Sequence, residues 1–296
     1  WIGRCTGYRG SRIRIFCPAK LNASINEVFF PGSVILGLSK NTLLRQTWEA
    51  QTMSLESNYQ PNIPAEVSDA KLAETFNAVM ARVYLWMTLG LVVTTAVSFY
   101  VVTNEAILNF VFSSIWVLLV LFVAQIALVI ALVRALPKLS TGAALALFFA
   151  YAALNGVTLS SILLAYDLGV VTMAFGVTAV VFVLLSVVGL TTKQDLTKWG
   201  PILFFGLIGL ILGTLVNIFL RSSTLDLIIT YLGILIFLGL IVYDTKYIKQ
   251  MTYKAASQGG DMQAVVGRIS VLGALKLYLD FINLFLYILR LLGRRR

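Results

Sequence analysis

The sequence predicts an all-α fold: a polytopic membrane protein built as a seven-transmembrane-helix bundle around a central, polar-striped seventh helix. Three observations predict it. Hydrophobic residues make up 59% of the 296 residues and charged ones 12%, against about 45–50% and about 25% in soluble domains. The apolar residues gather into seven runs long enough to cross a bilayer. Only in the last of these runs do charged and polar residues recur at helical spacing. The same composition sets aside a soluble enzyme, a disordered chain and a nucleic-acid binder. Without a polar folded surface to display it, the net charge of +10 is read as membrane topology.

Residues 1–52 carry seven Lys/Arg against two acids and no spanning run. They are expected to be a non-native or disordered extension, with the natural start at Met53; a basic targeting or membrane-surface arm is the other reading. Residues 53–79 read as a polar cytoplasmic tail, 80–293 as the membrane domain and 294–296 as a basic C-terminal tail. A hydrocarbon core of about 30 Å needs roughly 20 apolar residues per helix. Charges and turn formers then delimit spans near 82–102, 108–133, 143–166, 170–190, 201–220, 225–243 and 269–292.

Loops after the even-numbered spans carry Arg134 and Lys138, then Lys193 and Lys198, then Lys246, Lys249, Lys254 and Arg268, whereas the opposite short loops carry only Arg221. The positive-inside rule assigns the first group and the N-terminus to the cytoplasm of a cell, or inner, membrane. Seven crossings then export the C-terminus with Arg290 and Arg294 to Arg296. Either the seventh segment crosses despite that charge or it re-enters and returns. Small residues at spacings of three or four, Gly142, Ala146 and Ala150, then Ala152, Gly156 and Ser160, then Gly206, Gly209 and Gly213, read as packing seams.

Histidine is absent, and Cys5 and Cys17 precede every span. That removes imidazole-based nucleophilic catalysis, imidazole-ligated zinc or haem, and the histidine proton switch. No enzyme activity and no resident cofactor are expected. Proton sensing falls to carboxylates.

On the seventh span Lys276, Asp280, Asn283, Tyr287 and Arg290 follow one another at steps of four, three, four and three, which places them on one helical stripe. A charged stripe facing lipid costs about 2.5–3.5 kcal/mol per charge even on the lenient insertion scale, so this helix belongs at the centre. Asp280 is by default an ion or proton site, with Asn283 as an added oxygen ligand; the plainer reading has Lys276 neutralising it one turn away. Asp244 closes the sixth apolar run. Its plainer reading is an interfacial acid paired with Lys246 or Lys249. If Asp244 and Asp280 meet, they cannot both ionise cheaply and share one proton, a switch that needs no histidine. Deprotonation frees their oxygens for a weakly held Ca²⁺ or other hard cation, which needs more ligands than two carboxylates supply. Depth argues against the meeting: counted from the span ends, the two acids are offset by roughly 10 Å at 1.5 Å per residue.

Three passages resemble the Bax inhibitor-1 family, also called the transmembrane Bax inhibitor motif family, in its bacterial form. They are Met80-Ala81-Arg82-Val83-Tyr84-Leu85-Trp86-Met87, Val242-Tyr243-Asp244-Thr245-Lys246-Tyr247-Ile248 and Leu277-Tyr278-Leu279-Asp280-Phe281-Ile282-Asn283-Leu284-Phe285. The resemblance implies a pH-sensitive Ca²⁺ leak gated by an aspartate pair, here Asp244 and Asp280. It also implies a basic latch near the cytoplasmic end of the second span, matched by Arg134 with Lys138 competing. Relatives described as cell-death suppressors, or as partners of a membrane protease, supply the alternative of a membrane-embedded regulator of a protease or stress complex. A secondary transporter using the same acids fits less well, since no paired repeats with broken helices are found.

Overall fold

The computed structural model describes residues 69–136, 138–257 and 262–293. Among these residues there are eight helices and no strand. They are α1 (Asp69–Thr103), α2 (Glu105–Phe112), α3 (Ile115–Ala135), α4 (Thr141–Ala165), α5 (Leu168–Thr191), α6 (Trp199–Leu220), α7 (Ser223–Ser257) and α8 (Met262–Gly293). All but the short α2 are long and apolar enough to cross a membrane, which makes seven candidate spans. The readings for residues 1–68 and 294–296, Met53 included, lie outside the described residues.

Helix breaks fall where side chains can satisfy the free amides of a helix start. The second apolar run, expected as one span from 108, is two helices. Asn104 caps α2 by accepting from the Ile107 amide at 3.2 Å, and Ser114 caps α3 by accepting from the Trp116 amide at 3.3 Å. Ser140 opens α4 in the same way through the Ala143 amide at 3.3 Å. Between α6 and α7 the chain turns on Arg221 at φ 49°, and the Asn217 side chain accepts from the Ser222 amide at 3.1 Å.

Helices α7 and α8 outrun the apolar stretches that announced them. The stretch between Asp244 and Arg268 is not a loop but largely the polar ends of these two helices, joined through residues 258–261. They run antiparallel: Ile248 meets Gly273, Gly233 meets Tyr287, and Asp226 meets Arg290 at 3.4 Å. Helix α8 is therefore one uninterrupted helix, long and apolar enough to cross a membrane, rather than a re-entrant segment. The charge at its far end is partly neutralised, because Arg290 finds Asp226 there and also lies 5.8 Å from the Tyr287 ring.

Helix α8 sits at the centre, packed against α1, α4, α5 and α7. Its apolar window is 72% buried, against 6–33% for the other spans, which is what a polar stripe demands of a helix in lipid. The rim is formed by α3, which packs mainly on α4, and by α6, which packs on α7. Their outward Phe, Trp, Ile, Leu and Val side chains are exposed, as a lipid-facing surface requires.

Tyr278 of α8 ties the centre to α1 and α4. Its hydroxyl shares a hydrogen bond with Thr94 Oγ1 at 2.7 Å, and Thr94 also donates within reach of the Gly90 and Ala152 carbonyls at 2.9 Å. The Phe148 and Tyr151 rings pack edge-on against it. The α1 and α4 backbones meet at Gly156, where a Cβ would lie 2.7 Å from both the Thr94 carbonyl oxygen and Val97 Cβ. Ala152, Gly156 and Ser160 thus form the expected seam. Gly142, Ala146 and Ala150 do not: they lie on the exposed side of α4, because its packing face passes through Ala144, Phe148 and Tyr151 instead. On α6, Gly206 and Gly213 approach Ile236 and Ile229, but a Cβ at Gly209 would meet nothing within 4 Å.

Candidate functional site

The antiparallel register of α7 and α8 decides which charges meet. Asp244 lies thirteen residues before the end of α7, and Lys276 fourteen residues after the start of α8. The two come level, with Lys276 Nζ 2.9 Å from Asp244 Oδ1. Asp280 follows one turn along α8, about 6 Å at 1.5 Å per residue, so the anticipated depth offset is roughly halved.

Both acids are buried, Asp244 to 5% exposure and Asp280 to 4%. Asp280 interacts electrostatically with Asp244 and Lys276 at once, and its Oδ2 has no hydrogen-bond partner among the described residues. The Lys276 ammonium also lies 5.1 Å from the Tyr247 ring centre, a cation–π contact that keeps the charge at this level of the bundle. The cluster is thus two carboxyls against one ammonium, closed off by an aromatic face.

The plainer pairings are not the ones that form. Lys276 bonds across to Asp244 rather than back to Asp280 on its own helix. Lys249 turns away from Asp244, donates to the Leu190 carbonyl at 2.9 Å and lies near the Phe76 and Tyr253 rings. Lys246 faces Asp195 in the loop between α5 and α6. There the Thr197 hydroxyl and amide donate to the Asp195 carboxylate, at 2.6 and 3.0 Å, and hold it below the usual carboxylate range. Asp195 therefore keeps its charge to lower pH than an ordinary carboxyl does.

Asn283 lies on the same stripe, but its Nδ2 donates to the Leu279 carbonyl of its own helix at 2.8 Å. Arg134, at the end of α3, is exposed and makes no ion pair with either aspartate. Lys138 is exposed as well. Among the described residues no three His, Cys, Asp or Glu side chains come together as a metal cage.

Sequence reasoning missed Tyr247 and Asp226. The signal for each was a spacing on α7: Tyr247 follows Asp244 by three residues and so shares its face, and Asp226 stands in the first turn of an otherwise apolar helix. It also passed over Tyr84, Ser186 and Thr245, whose hydroxyls are buried without hydrogen-bond partners among the described residues.

A seven-helix membrane protein whose central helix carries a buried acid beside a second acid on the neighbouring helix is the class defined by this fold and site. Comparison with known proteins assigns the chain within that class. It belongs to the Bax inhibitor family: the family described as "Inhibitor of apoptosis-promoting Bax1" matches residues 76–296. It is 44% identical over 217 residues to the inner membrane protein YbhL of Escherichia coli K12, covering 73% of this chain and 92% of that one. An uncharacterized protein of Borreliella burgdorferi is 43% identical over 220 residues, covering 74% and 93%. One from Deinococcus radiodurans is 40% identical over 225 residues, covering 76% and 94%.

Proposed function

We propose that the protein is a pH-sensitive cation leak of the inner membrane, passing Ca²⁺, with its N-terminus in the cytoplasm and its gate formed by Asp244 and Asp280. The observation that carries this reading is the charge count of the buried cluster: two carboxyls and one ammonium. With one proton on the pair, the cluster is neutral and the α7–α8 contact is held together. Loss of that proton leaves two negative charges against Lys276 in a poorly solvated core. Their repulsion loosens the contact and presents oxygens to a hard cation. Acid closes the leak and alkali opens it.

Selectivity in this reading is modest. Ca²⁺ takes six to eight oxygens, and two carboxylates provide at most part of that set. Water completes the shell, so the ion is held weakly enough to leave again, as conduction requires. The inner-membrane location is supported by the name of the E. coli relative and by the seven apolar helices.

The test is Ca²⁺ flux into liposomes across pH for the natural chain, Asp244→Asn and Asp280→Asn. The natural chain is expected to leak more as pH rises, and each variant to lose that dependence. An unchanged pH response in both variants discards the gate.

A further inference from the structure

Lys276 reaches both carboxyls of the α7–α8 cluster. Its ammonium donates to Asp244 Oδ1 at 2.9 Å and acts electrostatically on Asp280 as well. Among the described residues it is the basic group that acts on either acid. Asp280 Oδ2, buried and without a hydrogen-bond partner among those residues, completes the cluster. One side chain thus places positive charge where a dissolved cation would have to sit to use the same oxygens. That side chain also has a way out. Toward the polar ends of α7 and α8 the seam is shut, since a Cβ at Gly273 would lie 2.8 Å from Val83 Cγ2 and 3.0 Å from Ile248 Cδ1. On the outer side the ammonium lies 5.1 Å from the Tyr247 ring centre; Tyr247 is 37% exposed and the Lys276 side chain 32%. A lysine lays its four-carbon stem along such a ring and carries its charge to water.

With both carboxyls ionised, the cluster carries one net negative charge while Lys276 is in place and two once it has left, and a divalent cation is drawn to the second state. We infer that Lys276 is a tethered competitor of the permeant cation: its ammonium occupies the Asp244–Asp280 site when no ion is there, Ca²⁺ enters by displacing it past Tyr247, and its return expels the ion. The inference rests on the reading of these acids as a cation gate and adds what clears that gate after each ion. Tethering holds the ammonium at an effective concentration far above that of a dissolved ion. Affinity for Ca²⁺ therefore stays low, as passage rather than storage requires. Lysine suits the task because its ammonium is a compact point charge on a flexible stem, whereas an arginine fork grips a carboxylate through two bonds.

The test is equilibrium Ca²⁺ binding to the full chain in detergent at alkaline pH, read from the Ca²⁺-dependent rise in unfolding temperature. Lys276→Gln is expected to bind Ca²⁺ at least about tenfold more tightly than the natural chain, a modest share of what one unit charge a few Å away is worth. Lys276→Arg, which keeps the positive charge beside Asp244, is expected to bind it more weakly than the natural chain. Any other order, equal affinities, or no binding in any of the three overturns the competition. The second readout needs no variant: acylation of the lysine amines of the natural chain, followed by mass spectrometry. Saturating Ca²⁺ is expected to speed acylation of Lys276 several-fold relative to Lys193, which is exposed between α5 and α6. An unchanged ratio overturns the displacement, even where Lys276→Gln fails to fold. The gate itself fails separately, through a pH response of flux that survives both Asp244→Asn and Asp280→Asn.

Discussion

Lys276→Met is expected to destabilise the protein by about 3 kcal/mol at neutral pH, the low end of the range for breaking a buried ion pair. The low end applies because the Lys276 side chain is 32% exposed, whereas Asp244 is 7% exposed. Methionine keeps the length and the apolar stem, so the lost quantity is charge. What remains is Asp244 without its partner and Asp280 beside it, two acids facing each other from α7 and α8 with the Tyr247 ring as the nearest cover. The signature is the pattern of rescue. Acid pH is expected to restore much of the loss by protonating the carboxyls, and adding Asp244→Asn restores it at neutral pH. Unfolding of the purified protein in detergent, followed against pH for the single and double variants, measures both. A loss of equal size at every pH, untouched by Asp244→Asn, identifies a packing defect instead.

Asp280→Leu is expected to act in the opposite sense. Leucine repeats the branching at Cγ, so the carboxyl is exchanged for an apolar group of related shape, while the Asp244–Lys276 pair stays balanced. Removing a buried oxygen that has no partner among the described residues is worth about 1–3 kcal/mol, less whatever the added methyl volume costs in strain. A net gain in stability together with a flat pH response of Ca²⁺ flux is the expected result. It marks Asp280 as a residue kept for what it does rather than for what it holds together, the usual relation between stability and a functional site. Loss of stability in this variant contradicts the placement of Asp280 as an unsatisfied group.

The membrane architecture was legible because lipid imposes one rule on every span, and hydropathy reads that rule directly. The central position of α8 followed from the same rule applied to Lys276, Asp280 and Arg290: a charged stripe has to face inward. Helix ends were less legible. Hydropathy marks where the bilayer stops, not where the backbone hydrogen bonds stop, so the polar continuation of α7 through Lys246 and Lys249 to Ser257 looked like a loop. The break at Ser113 and Ser114 was hidden inside one apolar run for the converse reason.

Partners of the charged groups were the least legible part. Sequence spacing offers Lys276 a neighbour at Asp280, and only the antiparallel register of α7 against α8 makes Asp244 the closer acid. The seam at Gly142, Ala146 and Ala150 failed on a similar point. Small residues at helical spacing define a face, but which face of α4 turns inward is decided by Phe148 and Tyr151 packing on Tyr278. Tyr84, Ser186 and Thr245 were passed over because a single hydroxyl in an apolar helix usually bonds back to its own backbone, as Thr178 and Thr252 do here.

The separation of the Asp244 and Asp280 carboxyl oxygens, read from structures determined at acid and at alkaline pH, bears on all of this at once. A proton-sharing gate predicts that the oxygens lie within hydrogen-bonding distance at acid pH and move apart at alkaline pH, with the α7–α8 contact loosening at that level. The same separation at both, with the Lys276–Asp244 bridge unchanged, contradicts it.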